Sequence, residues 1–474
     1  MINYPQPESV YRFFSEIAAI PHGSGNTEGI RRWCLDTAAK LGVDAHADSV
    51  GNVILRAPAS AGYESHPRVI LQGHIDMVCA KLPDCPKNME TEGLDLIWTD
   101  EFLSADGTTL GGDDGIAVAY AFAILADKTI AHPALTVILT VDEETGMDGA
   151  TGLAPEELDA DILINIDSEE EGIFTVGCAG GVRSHLTYPV QTENAVGTRL
   201  LLSISGLTGG HSGAEIHKHL LNANVAMLRL LRAIPMPFQL CELQGGVRDN
   251  VIPTECSALL LVPPCALETV LEAIEREKNV LASEYPDESI CLSMDPPVKS
   301  CGTALTQDAT AALLDALAKL PNGVQEMNPA LGMPETSLNL GIFYLHNGEM
   351  HADALIRSGV NAKKDALADK LRTLAEADGG SASESGKYPA WEYRPDTALE
   401  HIAVDVFSRI YGKNPVIATI HAGLECGILA AKKPSLMCIS IGPDLFDIHT
   451  PRERLSIPSA KRTWDFLLAL LKAI

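Results

Sequence analysis

The stretch VILQGHIDMV, residues 69–78, joins an apolar run to a histidine and an aspartate two positions apart. The run consists of Val, Ile and Leu without polar alternation, which is typical of a strand covered on both faces in a parallel sheet. His74 and Asp76 follow where this strand is expected to end. Because ligands of parallel α/β sheets bind at the carboxyl ends of the strands, the stretch predicts a functional sheet edge.

Further apolar runs of the same kind occur along the chain, and longer helix-like segments separate them. This alternation predicts an α/β domain with a mostly parallel central sheet flanked by helices. The runs are ALTVILTV (residues 134–141), DILINI (161–166), PVIATI (415–420) and SLMCISI (435–441).

The middle of the chain has a different pattern, in which strand-like runs and helices between about residues 183 and 377 indicate an α+β arrangement. The segment DGGSASESGKYPA, residues 378–390, has the small, polar composition of a linker. We therefore expect a second domain inserted into the first. Residues 1–184 and 391–474 are predicted to form the two parts of the α/β catalytic domain, and residues 185–390 the inserted domain.

Composition and charge exclude several classes of protein. The 474 residues include 63 acidic and 35 basic side chains, for a net charge of −28, which disfavours nucleic acids and anionic membranes and favours cationic ligands. The longest apolar segment, residues 116–126, is far shorter than the roughly 20 residues that span a bilayer, and the N-terminal sequence is not that of a signal peptide. Eleven cysteines without a C-x-x-C pair indicate free thiols in a reducing compartment. We expect a cytoplasmic protein.

Histidines and carboxylates follow four of the predicted strands or open a predicted helix. They are His74 and Asp76, Asp113 and Asp114 in LGGDDG, Glu143 and Glu144 in DEETG, Asp167, and His449. Carboxylates gathered without Lys or Arg repel one another, and a divalent cation removes that repulsion. Imidazole and carboxylate together suit Zn²⁺, Mn²⁺ or Co²⁺ better than Ca²⁺. The donors are too many for one tetrahedral zinc, so they predict a two-metal site.

Each motif alone has a structural interpretation. His74 and His449 suit hydrogen-bonded loop histidines, GGDDG suits a helix N-cap, and DEETG suits a solvated turn. The joint arrangement favours the metal site, because four strand ends that each carry a ligand type are improbable as independent accidents.

The motifs GHIDMV, GGDDGI, VDEETGMDGA, NIDSEEEG, FTVGCAGG and DIHTPRE occur in an order that resembles the M20 metallopeptidase family. Within that family the chain is similar to the aminoacyl-histidine dipeptidase branch, whose members cleave Xaa-His and other unblocked dipeptides. The resemblance covers essentially the whole chain. It implies a zinc-exopeptidase-like catalytic domain and an inserted α+β lid domain.

The resemblance also implies roles for the residues at the sheet edge. His74 and Asp167 are expected to complete one metal site, and Glu144 and His449 the other. Asp76 is expected to hold the His74 imidazole in its ligating tautomer, and Glu143 to act as general base. Relatives commonly have Asn at the position of Asp114 and Ala at that of Gly112, which leaves Asp113 and Asp114 as candidates for the bridging carboxylate. We predict Asp113.

The resemblance implies further residues for substrate binding. His211 in GGHSG is expected to polarise the scissile carbonyl, although the motif alone favours a turn histidine. Asn250 and Arg357 are expected to hold the substrate carboxylate from the inserted domain. Gly423 and Glu425 in HAGLECG are expected to line the same pocket from the catalytic domain.

These expectations define a function and its alternatives. The resemblance implies hydrolysis of unblocked dipeptides, Xaa-His and β-Ala-His included, with two Zn²⁺ ions, or Co²⁺ or Mn²⁺ in their place. It also implies a homodimer whose other partners are small dipeptides. An M20-type amidase or deacylase of N-acyl amino acids is the alternative within hydrolases. A catalytically silent metal-binding or peptide-binding protein is a remote alternative, since such a protein would be expected to lack Glu143 or Asp76.

Overall fold

The structure, a computed structural model, describes residues 4–235, 237–329 and 331–474. The chain forms two compact units. Unit 1 comprises Met1–Gly177, Tyr393–Thr419 and Leu424–Ile474, and unit 2 comprises Cys178–Glu392 and Ile420–Gly423. Each unit has its own buried apolar core, as expected for a chain too long for a single core.

The helices and strands are as follows in chain order. The first stretch of unit 1 contains α1 (Glu8–Ala18), α2 (Glu28–Leu41), β1 (Asp44–Ala47), β2 (Val53–Ala57), β3 (Val69–His74), β4 (Leu96–Trp98), β5 (Phe102–Ala105), α3 (Gly112–Ala126), β6 (Leu135–Thr140), α4 (Glu143–Gly146), α5 (Asp148–Gly152), β7 (Ile162–Asn165) and β8 (Ile173–Cys178). Unit 2 contains β9 (Gly180–Pro189), β10 (Thr192–Ser205), β11 (Gly210–His211), α6 (Ala223–Ala233), β12 (Gln239–Gly245), β13 (Val251–Ile252), β14 (Cys256–Val262), α7 (Leu267–Glu284), β15 (Cys291–Met294), β16 (Val298–Leu305), α8 (Gln307–Ala318), β17 (Gly323–Asn328), β18 (Met333–His346), β19 (Glu349–Ser358), α9 (Asn361–Ala377) and β20 (Ser381–Tyr388). The rest of unit 1 contains α10 (Ala398–Tyr411), β21 (Val416–Ile420), α11 (Glu425–Lys432), β22 (Met437–Ser440), β23 (Leu445–Phe446), β24 (Arg454–Ser456) and α12 (Ile457–Ala473).

The main sheet of unit 1 has the strand order β1-β2-β6-β3-β7-β22-β8-β21. Its four central strands pair in parallel, whereas β1 and β2 pair antiparallel to their neighbours and β8 pairs antiparallel to β22. Every residue of β3 and β7 is buried, which explains their continuous apolar sequences. The predicted α/β fold is therefore confirmed, with parallel pairing throughout the four central strands.

The register of the central strands brings their carboxyl ends together. His74 of β3 lies opposite Thr140 of β6, and Gln72 lies opposite Asn165 of β7. Helix α3 packs against β3 and α1. Its sequence is apolar on all sides, and nearly all of it is buried. The side chains that follow these strands and precede this helix consequently meet at one edge.

Unit 2 is built on a sheet with the order β15-β10-β14-β12-β18-β19-β9-β20, in which all described pairs are antiparallel. The prediction of a linker at residues 378–390 was wrong for most of that segment, because Ser381–Tyr388 is an edge strand that pairs with β9. Its small and polar side chains are mostly exposed at the sheet edge, so they lack the apolar alternation that marks a strand. Among the described residues, no helix combines the length and apolarity that crossing a membrane requires.

Candidate active site

The predicted metal ligands of unit 1 converge on the carboxylate of Asp113. Its Oδ1 lies 3.1 Å from Nε2 of His74, and its Oδ2 lies 3.2 Å from Nε2 of His449. Asp167, which follows β7, places Oδ1 3.6 Å from Nε2 of His74. Glu144, in the first turn after β6, places Oε1 3.1 Å from Nε2 of His449. One carboxylate thus lies between two imidazoles, each of which has a second carboxylate beside it.

The chemistry of this donor set fits divalent metal ions. Donor atoms of His74, Asp113 and Glu144 lie within 4.8 Å of one another, as do those of His74, Asp114 and Asp167. In the part of the chain that the structure describes, no Lys or Arg forms an ion pair with these carboxylates. The imidazole and carboxylate donors, together with the shared oxygens of Asp113, match the requirements of two ions of the zinc type.

The raised pKa values of these side chains show that positive charge stabilises the cluster. Burial raises the pKa of Asp167 to about 6. Hydrogen bonds to Asp113 and Glu144 raise the pKa of His449 to about 10. For His74, burial favours the neutral ring, but hydrogen bonds to the surrounding carboxylates outweigh burial and raise its pKa well above the ordinary value. Bound cations supply the same positive charge, and they do so by displacing protons from the ligands.

Asp114 has different partners from Asp113. Its carboxylate is buried, and Oδ2 accepts a hydrogen bond from the backbone N–H of His74 at 3.2 Å. Burial raises its pKa well above the ordinary value. Asp114 therefore ties the start of α3 to the end of β3, whereas both oxygens of Asp113 face imidazole nitrogens.

Asp76 organises the site through both its backbone and its side chain. Nδ1 of His74 lies 2.9 Å from the backbone oxygen of Asp76 and 3.5 Å from its Oδ1. Donation from Nδ1 to this carbonyl leaves the Nε2 lone pair directed at the carboxylates, which is the tautomer a metal ligand needs. The Asp76 carboxylate accepts hydrogen bonds from Glu143 N at 3.1 Å, Glu144 N at 3.4 Å and Ser24 Oγ at 2.8 Å. It thereby fixes the turn that carries the two glutamates.

Glu143 and Glu144 begin helix α4 immediately after Asp142, whose φ of 54° turns the chain sharply at the end of β6. Glu144 extends to His449, as described above. Burial raises the pKa of Glu143 well above its ordinary value. The two adjacent glutamates thus differ in their surroundings, which suits one ligand and one acid–base group.

His211 and Arg357 lie together in unit 2. Nδ1 of His211 accepts hydrogen bonds from the backbone N–H groups of Gly213 at 3.3 Å and Ala214 at 3.1 Å. Its Nε2 lies 3.5 Å from Nη2 of Arg357, so both ring nitrogens face N–H donors. Burial, together with the positive charge of Arg357, lowers the pKa of His211. The lowered pKa favours the neutral form of the ring.

Arg357 is 6% exposed, and its Nε has no hydrogen-bond partner among the described residues. Its Nη1 donates to the hydroxyl of Tyr388 at 3.0 Å. The predicted residue Asn250 lies beside β11, where its backbone oxygen accepts from Ser212 N at 2.9 Å. A buried guanidinium with an unused donor is a group that can bind a carboxylate.

The structure places Gly423 at a half-buried position of unit 2 and Glu425 in the interior of unit 1. Glu425 is 0% exposed, and Oε2 accepts hydrogen bonds of 2.6 Å from both Gln72 Nε2 and Thr140 Oγ1. Burial raises its pKa to about 7. One carboxylate oxygen is thus bound by the sheet, and the expected contact of Glu425 with substrate stays a prediction.

Sequence reasoning missed Ser24, Tyr388 and Glu453 as partners of the site residues. Tyr388 lies within the segment DGGSASESGKYPA, and Glu453 lies within the motif DIHTPRE quoted for the family. Position within these stretches is the signal that could have identified them. No local pattern marks Ser24, because its partner Asp76 is 52 positions away.

The chain belongs to the peptidase family M20/M25/M40, which it matches over residues 70–473. The expected family resemblance is thus confirmed. The chain is 36% identical over 477 residues to the cytosol non-specific dipeptidase of Escherichia coli (strain K12), covering 99% of this chain and 98% of that protein.

Solved structures agree with this assignment. The crystal structure of aminoacylhistidine dipeptidase from Vibrio alginolyticus matches with a TM-score of 0.92 and 35% identity, covering 99% of this chain and 97% of that one. A tripeptidase from Staphylococcus aureus matches with a TM-score of 0.61 and 18% identity, covering 100% of this chain and 98% of that one. The second match shows a shared fold only.

Proposed function

We propose that this protein is a metal-dependent dipeptidase that hydrolyses unblocked dipeptides, with preference for Xaa-His. The observation that carries the proposal is the Asp113 carboxylate, whose two oxygens face the imidazoles of His74 and His449. Relatives named as a cytosol non-specific dipeptidase and an aminoacylhistidine dipeptidase, each matched over nearly its whole length, support the substrate class.

The metal ligands divide into two sets that share Asp113. His74 and Asp167 would hold one ion, and Glu144 and His449 the other. When bound, the ions supply positive charge that polarises the scissile carbonyl and makes a water molecule more acidic. Zinc is the proposed metal because imidazole and carboxylate donors suit it, and cobalt or manganese fits the same donors.

Glu143 is the proposed general base. It takes a proton from the attacking water and passes it to the leaving nitrogen as the peptide bond breaks. Its burial and raised pKa support this role, since a carboxyl that is easily protonated can both accept and return a proton. Asp76 positions Glu143 through the backbone N–H.

Unit 2 is proposed to supply groups that bind the substrate. The Nε2–H of His211 donates to the carbonyl oxygen as negative charge develops there. Arg357 and Asn250 bind the substrate carboxylate, and Gly423 contributes to the same subsite. The supporting features are the lowered pKa of His211, which favours a neutral ring, and the buried Arg357 guanidinium, whose Nε has no hydrogen-bond partner among the described residues.

The proposal extends to location and assembly. The word cytosol in the name of the E. coli relative supports a cytoplasmic location. We also propose a homodimer, supported by the exposed valines Val196 (71% exposed) and Val298 (60%) on strands β10 and β16 of unit 2. Sedimentation equilibrium tests this, with a mass of twice 50.6 kDa expected and 50.6 kDa contradicting it.

The decisive test compares Ala-His, β-Ala-His and N-acetyl-His as substrates of the zinc-loaded protein, by release of free histidine. Hydrolysis of the two unblocked dipeptides, with little hydrolysis of the blocked compound, is expected. Turnover of N-acetyl-His alone would assign a deacylase instead. Glu143→Gln should lower kcat by roughly 10²- to 10⁴-fold without loss of bound zinc. Glu156→Gln, at an exposed position of the short 3-10 helix Pro155–Leu158 in unit 1, is the matched control and should retain activity.

A further inference from the structure

The buried side chain of Glu453 is hydrogen-bonded to the loop that carries the Asp113 carboxylate. Glu453 is 3% exposed. Its Oε2 accepts hydrogen bonds from the backbone N–H groups of Leu110 at 2.8 Å and Gly111 at 3.2 Å. Its Oε1 accepts from those of Gly112 at 2.8 Å and Asp113 at 3.4 Å. Four consecutive N–H groups therefore point at one carboxylate.

The loop needs such an acceptor. The first N–H groups of a helix have no partner within the helix, and Gly111, at the N-cap position of α3, has no side chain to supply one. Asp113 and Asp114 do not have helical dihedral angles, so the opening turn of α3 is irregular. A carboxylate placed there satisfies the N–H groups and interacts favourably with the positive end of the helix.

The glycines of this loop permit the close approach. Gly111 has φ = +65°, a left-handed conformation that disfavours other residues. A Cβ atom on Gly112 would lie 2.7 Å from Cδ2 of Leu445 and 3.2 Å from Oε1 of Glu453. The backbone is thus held against Glu453 without room for a side chain between them.

Glu453 and the imidazole on the other side of Asp113 belong to one short segment. His449 contacts Oδ2 of Asp113, and Glu453 contacts the N–H of the same residue. The Glu453 N–H donates to the Thr450 oxygen at 3.0 Å, which closes a turn between them. The segment therefore fixes Asp113 at both its backbone and its carboxylate.

From this arrangement we infer that Glu453 is a positioning residue, which holds the Asp113 carboxylate where it can serve both metal sites. The inference rests on the proposed two-metal function. It predicts that loss of the hydrogen bonds between Glu453 and the loop lowers the affinity for metal, because a displaced Asp113 can no longer bridge the two ions. Replacement by Gln keeps the size of the side chain but turns an amide N–H₂ towards backbone N–H groups, so at least two of the four hydrogen bonds are lost.

The test is the zinc affinity of Glu453→Gln, measured by equilibrium dialysis against buffered zinc and compared with the wild type. The free zinc concentration that half-saturates the protein should rise by roughly 10- to 100-fold, as for other residues that orient ligands. Excess zinc should restore much of the activity, with KM unchanged. Glu453→Asp, which keeps the charge but has a shorter reach, should have an intermediate affinity.

The control is Glu288→Gln. Glu288 also accepts backbone N–H groups, those of Thr208 at 2.8 Å and Leu221 at 3.0 Å, but it does so in unit 2. It should lower the melting temperature without changing zinc affinity. Wild-type zinc affinity in folded Glu453→Gln, or in Glu453→Asp if the first variant does not fold, would overturn the inference. Zinc affinity is measured without substrate, so failure of the dipeptidase proposal would be seen separately, in the wild type.

Discussion

At the scale of single residues, the two neighbouring aspartates at the start of α3 have separable tasks. Asp113 directs an oxygen at each of two imidazoles, whereas Asp114 accepts a backbone N–H of β3. In the proposed two-metal site, only Asp113 uses both of its carboxylate oxygens as metal ligands. An amide at position 114 can still accept the backbone hydrogen bond, but an amide at position 113 loses one anionic oxygen.

Asp113→Asn should therefore lower the zinc content below two ions per chain and reduce kcat/KM by about 10³-fold or more, since the electrostatic contribution of the site is lost. Asp114→Asn should retain both ions. Zinc content by mass spectrometry and Ala-His hydrolysis measure the two effects. The reverse pattern would identify Asp114 as the bridging residue.

His421 gives a prediction for pH. It is 4% exposed, and its Nε2 lies 2.8 Å from Ser337 Oγ. Burial, followed by the positive charge of Arg357, lowers its pKa to about 4. In the unfolded chain the pKa of a histidine is about 6.5. Between that pH and about 4, His421 is therefore protonated in the unfolded chain but neutral in the folded one. The contribution of His421 to stability is complete above about pH 6.5 and is lost as pH falls towards 4.

Replacement of His421 by Gln should remove this acid sensitivity, because Gln does not titrate. Urea unfolding at pH 7.5 and pH 5 measures it. The wild type should lose about 2 kcal/mol more than His421→Gln between these two pH values. His401→Gln, at an exposed position, is the control and should behave as the wild type. Equal losses in His421→Gln and wild type would show that His421 ionises normally.

At the scale of elements, a chain of buried polar side chains crosses the central strands beneath the site. Glu425 of α11 accepts from Thr140 of β6 and from Gln72 of β3. Gln72 in turn accepts from Asn165 of β7 at 2.6 Å, and Asn165 accepts from Ser440 of β22. This hydrogen-bonded network links the strands that precede His74, the two glutamates and Asp167. It therefore fixes the relative register of those strands at the carboxyl edge of the sheet.

Glu425→Ala should destabilise the protein by about 3 kcal/mol, because it leaves Gln72 and Thr140 without their acceptor and creates a cavity. Glu425→Gln retains an acceptor oxygen and should cost about 1 kcal/mol. Chemical denaturation monitored by circular dichroism compares the two variants. A KM defect in Glu425→Gln with unchanged stability would instead support the substrate contact that the sequence suggests.

The elements also show which parts of the structure can be predicted from sequence. The central strands were recognisable because burial on both faces gives continuous Val, Ile and Leu. Strand β20 was not, because an exposed edge strand of small polar residues resembles a linker. The metal ligands were recognisable because they directly follow strands or open a helix. Glu453 was not, because its partners are backbone N–H groups about 340 positions away, and such contacts impose no pattern on the sequence.

At the scale of the whole molecule, the net charge of −28 sets a general electrostatic field. Such a field attracts cations and repels anions, and salt screens it. The kcat/KM for Lys-Ala should fall several-fold between about 20 and about 300 mM NaCl, whereas that for Asp-Ala should rise. Initial rates at low substrate concentration measure both. Equal salt effects on the two dipeptides would show that the field does not influence substrate encounter.

The central claim is that one shared carboxylate holds two metal ions in a dipeptidase site. The most direct measurement is a zinc titration of the metal-free protein, with bound zinc and Ala-His hydrolysis followed together. The account predicts activity that reaches its plateau at two bound ions per chain. A plateau at one ion, or full activity in the presence of a strong chelator, would contradict it.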